Sequence, residues 1–100
     1  MKENDLSQLM DNLFSLNKQN KFNLRDTHIS LFMSLIYLSN FSFGWFKSTP
    51  EYAMLGAAIK TKRTYYKTLK DLVKYGMVEY QPGKNKNTLP SLKINNLSPI

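Results

Sequence analysis

At 100 residues the chain fits one domain with a core of its own, and 42% hydrophobic with 13% aromatic content excludes a disordered polymer. It has no cysteine and one histidine, His28, which excludes disulfide frameworks, thiolate metal sites and a metal site built from histidines. The formal net charge of +7 favours a polyanionic partner, either nucleic acid or an acidic membrane surface. The polar start Met1–Asp5 is followed by no apolar leader segment, and the most apolar stretch, Leu31–Leu38, is far short of the ~20 residues that span a bilayer. The expectation is a cytoplasmic protein that does not engage a membrane.

From Asp5 to Leu16, Leu6, Leu9, Met10, Leu13 and Phe14 recur at helical spacing, which predicts an amphipathic helix with a narrow apolar stripe. A polar connector, 17–21, follows. Asn23 is a good N-cap, and Asp26 complements the positive end of the next helix, predicted over about Leu24 to Ser39. Ile29, Phe32, Met33 and Ile36 form one of its faces and Leu31, Leu35 and Leu38 a second, so this helix should be central. Its second side needs a cover, either the N-terminal helix of the same chain or that of a partner subunit; a homodimer built on that helix is the expectation.

Phe41, Phe43, Trp45 and Phe46 alternate with Ser42 and Gly44, and a short strand is predicted near Trp45–Lys47. These rings either fill the core and its rim or form an exposed association patch. Ser48 with Glu51 reads as a capping box with Pro50 in the first turn, starting a helix through Tyr52 to Ala58. Gly56 costs that helix about 1 kcal/mol against alanine, so either the helix ends early or a close neighbour offsets the loss.

Thr61 caps the next helix, predicted over about Lys62 to Tyr75, with Tyr65, Leu69, Leu72 and Val73 as its buried stripe and Gly76 as a left-handed stop. Met77–Gln81 reads as a strand, residues 82–88 as a turn-rich loop, and Leu89–Ile94 as the returning strand. Three regions result: 1–22, the N-terminal helix and connector; 23–95, the main domain; and 96–100, a tail.

The Lys60–Lys74 stretch holds six cations and one acid, Asp71. Arg63, Lys67, Lys70 and Lys74 share one helical face, and Lys62 and Tyr66 another, away from the apolar stripe. Lys70 and Lys74 suit the negative end of the helix dipole. Lys60, Lys62 and Arg63 do not, because they crowd its positive end. A phosphate there would relieve that cost. Lys84 and Lys86, interleaved with Asn85 and Asn87, make the loop 82–88 a second basic element able to follow a backbone. Arg63, Lys62, Tyr66 and Lys67 are the candidates for reading base edges, with Arg63 best suited to guanine. Lys60, Thr61, Thr64, Lys70, Lys84 and Lys86 are candidates for phosphate contact, and Thr61 is also the cap.

The pattern Ile59-x-Thr61-x-x-Thr64-Tyr65-x-x-x-Leu69-x-x-Leu72-x-x-x-Gly76-Met77-Val78 resembles the turn, recognition helix and first wing strand of winged helix-turn-helix domains. Leu24–Phe32 and Tyr75–Pro82 are similar to small winged-helix proteins of Bacteroides-type bacteria and their mobile elements. The helix before the turn departs from the pattern, carrying Ala53, Met54 and Gly56 in place of the usual leucine. The resemblance implies an α+β fold, a three-helix core with a β-hairpin wing, preceded here by an extra helix. It also implies double-stranded DNA as partner and a role in transcription regulation or in element excision, mobilisation or replication.

Nothing in the sequence points to catalysis. The acids are scattered, Gly83-Lys84 lacks the rest of a phosphate-binding loop, and His28 reads as a surface or core-edge residue. No enzyme activity, cofactor, metal or small-molecule ligand is expected. The alternative function is a protein-interaction module using the aromatic run 41–46 and the N-terminal helix.

Overall fold

The computed structural model describes residues 8–9, 11–12, 24–40, 43–85 and 87–95. Among the described residues, three helices with both ends defined, α1 (Asp26–Leu38), α2 (Pro50–Ala57) and α3 (Lys62–Lys74), combine with three strands, β1 (Phe46–Lys47), β2 (Val78–Gln81) and β3 (Ser91–Ile94). The chain is thus a small α+β protein, and its element order is compatible with the expectation. Gln8, Leu9, Asp11 and Asn12 are helical, while the rest of the predicted N-terminal helix, Asn23, Phe41, Lys86 and the tail 96–100 lie outside the described residues.

Helix α1 is the hub. Leu31, Phe32, Ser34, Leu35 and Ile36 are buried in a wide arc, so both predicted faces contribute. Met33 is the exception: it is 43% exposed and lies one turn from exposed Tyr37 on the outer line of the helix. Leu9 and Asn12 are buried, and Leu9 joins the same apolar cluster as Leu31, Leu35 and Tyr65, so the N-terminal segment reaches its own chain's core. Of the aromatic run, Phe43 and Phe46 pack against that core, and Trp45 remains about half exposed.

The start of α1 differs from the expected one. Arg25 is its N-cap, and the helix begins at Asp26. Arg25 offers no side-chain acceptor to the first turn. Instead its own backbone N–H donates to His28 Nδ1, at 2.9 Å, so the imidazole does what a glutamate does in a capping box.

The start of α2 is also displaced. Thr49, not Ser48, is the cap, its hydroxyl accepting from the Tyr52 N–H at 3.4 Å. Ser48 is already committed to the sheet, where its N–H donates to the Pro90 carbonyl at 3.4 Å. Proline at position 50 holds Thr49 extended, which is the conformation a cap requires. Gly56 does not end the helix early. A methyl group there would stand 2.5 Å from Ser34 Oγ, and Ser34 Oγ donates to the Ala53 carbonyl at 2.9 Å. The glycine lets α2 approach α1, which offsets its intrinsic cost.

The turn from α2 to α3 passes through Ala58, left-handed at φ 56°. Its N–H reaches the Leu55 carbonyl, and the Ile59 N–H reaches that of Met54. Helix α3 ends in the same pair of bonds at Gly76, φ 77°: Gly76 N–H to the Val73 carbonyl and Met77 N–H to that of Leu72. This is a Schellman stop, and the buried side chains of Leu72 and Met77 supply the apolar contact that accompanies it.

The antiparallel sheet has the order β1-β3-β2. Phe46 and Tyr80 both pair with Leu92, and Val78 pairs with Ile94. Alternation puts Leu92 and Ile94 of β3 wholly inside. Leu89, predicted as strand, precedes β3 and is 44% exposed. Asn95 fastens the base of the hairpin, its N–H on the Met77 carbonyl and its amide on the Gly76 carbonyl.

Candidate nucleic-acid interface

Helix α3 buries Tyr65, Thr68, Leu69 and Leu72. Val73, expected in that stripe, is 40% exposed; Thr68 takes the inward position instead, since 65, 68, 69 and 72 lie closer to one line. Burial pushes the Tyr65 phenol well above the usual tyrosine range, so it stays neutral. With that side fixed inward, Arg63, Lys67, Lys70 and Lys74 fall on the outward line, all exposed. Among the described residues none of these four forms an ion pair.

At the N-terminus of α3, Thr61 Oγ accepts the Thr64 N–H at 3.2 Å and donates to the Thr64 hydroxyl at 3.0 Å. The one hydroxyl proton of Thr61 is therefore already committed, and the Thr64 hydroxyl keeps a proton to donate. Lys62 is not a free cation. Its ammonium stands 3.1 Å from Glu51 of α2, and both side chains are well exposed. Glu51 thus supplies part of the relief expected of a phosphate. Its own backbone N–H, and then Lys62, hold its carboxyl below the usual glutamate range. Lys60 and Arg63 keep the unfavourable position at the dipole's positive end, exposed and without an ion pair among the described residues.

Two clefts flank the cation line. The first, of about 260 Å³, lies between the start of α1 and α3 and is lined by Arg25, Thr27, Thr64, Lys67 and Tyr75, with His28 and Asp71 joined across it. His28 is buried, and its Nε2 stands 2.9 Å from Asp71 Oδ2. Because Nδ1 accepts the Arg25 N–H, Nε2 carries the proton and donates to the carboxylate. Asp71, the acid that interrupts the basic run, therefore turns towards α1 as His28's acceptor. The second cleft, of about 280 Å³, is apolar and lies between α3 and β2. Tyr66 lines it and packs edge-on against Tyr65, at 5.0 Å between ring centres. Tyr66 is thus partly a packing residue, though 44% exposed.

In the loop 82–88, Lys84 is exposed. The loop is locally closed: Asn85 Oδ1 accepts from the Asn87 N–H at 2.8 Å and from the Thr88 hydroxyl at 3.1 Å. Gly83 meets the Thr88 carbonyl so closely that a side chain has no room there.

Arg25, His28 and Tyr80 were not among the predicted site residues. Tyr80 was open to the alternation rule, standing two residues after buried Val78. Arg25 and His28 depend on the contact between α1 and α3, which no local pattern encodes. Among the described residues no helix is long and apolar enough to cross a membrane, and no cluster of metal-ligating side chains is present. Comparison with protein-family models, with curated proteins and with solved structures finds no match.

Proposed function

We propose that the chain binds double-stranded DNA as a winged helix-turn-helix protein, acting as a transcription regulator or as an accessory factor of a mobile element. Helix α3 enters the major groove, and the hairpin loop 82–88 lies on the flanking backbone. The observation that carries this reading is the outward line Arg63, Lys67, Lys70 and Lys74, which has no ion-pair partner among the described residues. A surface held for solubility alone gains nothing from concentrating like charge on one line, since like charges one turn apart repel. A line of phosphates reverses the sign of that interaction. Support comes also from the +7 net charge, the tight turn into a helix capped by Thr61, and the hairpin that follows directly.

The rival interaction-module reading relied on the aromatic run and the N-terminal segment. Phe43, Phe46 and Leu9 are engaged in the chain's own core, which weighs against it.

Titrating duplex of random sequence at several salt concentrations tests the proposal. Four or five phosphate contacts predict a slope of log affinity against log salt of about −4. Absence of duplex binding at low salt would sink the reading. Arg63→Ala is expected to relax sequence preference, whereas Lys84→Ala weakens all sequences alike.

A further inference from the structure

The cleft between α3 and β2 has a chemistry unlike the rest of the basic face. Leu69 and Val73 give it an aliphatic lining, Tyr66 and Tyr80 contribute two phenol rings, and Lys70 adds a cation. It is open, with Tyr66 and Val73 each at least 40% exposed. An apolar hollow beside cations that form no ion pair among the described residues asks for an occupant of two parts: a flat apolar face for the rings and a negative charge for Lys70 and its neighbours Lys67 and Lys74. A paired base inside a duplex offers only its edges, because its faces are stacked. An unpaired nucleotide offers both parts at once, a bare base face and its phosphate.

We propose that this cleft takes one unpaired base of a bound nucleic acid, stacked on Tyr66 or Tyr80 with its phosphate on Lys70. The proposal rests on the reading of α3 as a DNA-binding helix and deepens it. The preferred substrate becomes a duplex with an extruded or bulged nucleotide on the strand beside the hairpin. The volume, about 280 Å³, holds one base. An apolar side chain from a partner protein would fill the hollow but leave the lysines without counter-charge.

The test compares three fluorescently labelled probes: a fully paired duplex, the same duplex with one bulged thymidine, and a thymidine oligomer. The bulged duplex is expected to bind about tenfold tighter than the paired one, the scale of one base–aromatic stack. Tyr80→Ala and Val73→Gln should each erase that advantage and leave paired-duplex affinity unchanged. Val73 is half-exposed, so its variant keeps the fold even if Tyr80→Ala does not. Equal affinity for bulged and paired duplex overturns the cleft proposal and leaves the duplex reading standing. A bulge preference that survives both substitutions overturns it as well. Failure of all three probes to bind removes both readings together, while Tyr80-dependent binding of the thymidine oligomer alone retains the cleft and removes the duplex.

Discussion

His28 and Asp71 are single residues on different helices, and together they join α3 to the start of α1. The imidazole accepts the Arg25 N–H through one nitrogen and donates to Asp71 through the other, so both its polar atoms are satisfied while the ring is buried. Asp71→Ala leaves the Nε2–H without its acceptor, and denaturant unfolding should register a loss of about 1–2 kcal/mol. The same change removes the one acid of the α3 cation run, so duplex affinity should rise severalfold as stability falls. A variant that lost both would show that the alignment of α3 depends on this pair. Ala58 makes the opposite kind of case. It holds φ 56°, where a methyl group is unwelcome, and it is exposed. Ala58→Gly should therefore stabilise the chain by about 0.5–1 kcal/mol, read as a raised melting midpoint with DNA binding unchanged.

At the scale of elements, the packing of α2 on α1 hinges on Gly56 facing Ser34. Gly56→Ala would gain about 1 kcal/mol of helix propensity on a bare helix. Here the new methyl meets the Ser34 hydroxyl, which is buried and bonded to Ala53, so the expected result is a net loss of about 1–2 kcal/mol. In a Ser34→Ala background most of that loss should vanish. A thermodynamic cycle returning simple additivity would mean the helices are not in close contact there. The elements themselves were largely legible. Thr61, Gly76 and the 65–69–72 spacing predicted α3 to within one residue of Lys62–Lys74, because caps and stops act through neighbours in sequence. The errors have a common physical cause. Ser48 yielded its predicted capping role to Thr49 while its N–H, which Glu51 would hold in a capping box, went to the distant Pro90 carbonyl, and Val73 lost its buried place to Thr68 because the line of contact with the core is set by partners on other elements. The outward line of cations was readable from periodicity alone. The two clefts beside it were not, since each needs a wall from elsewhere, α1 for one and β2 for the other.

For the molecule as a whole, the ion pair at the α2–α3 corner sets how many cations the proposed DNA-binding face presents. Glu51 engages Lys62, and Glu51→Gln should release it, steepening the salt slope of duplex binding by about one. Because the Glu51 carboxyl is held below its ordinary range in the folded chain, the ion pair persists through that range and is lost only as pH falls below it. The wild type should then approach the behaviour of Glu51→Gln on acidification. A slope indifferent to both changes would place Lys62 away from the bound duplex. The order β1-β3-β2 bears on how the molecule is made. Among the described residues the last strand in sequence, β3, occupies the middle of the sheet and is the sole partner of both others. Until Leu92 and Ile94 have left the ribosome, Phe46 and Val78 lack the strand they pair with among the described residues, and the hairpin cannot close behind α3. Nascent chains therefore carry a complete basic helix before they carry the support that orients it, and a chain cut short before Ser91 should be recognised by proteases as unfinished despite holding every residue of α3.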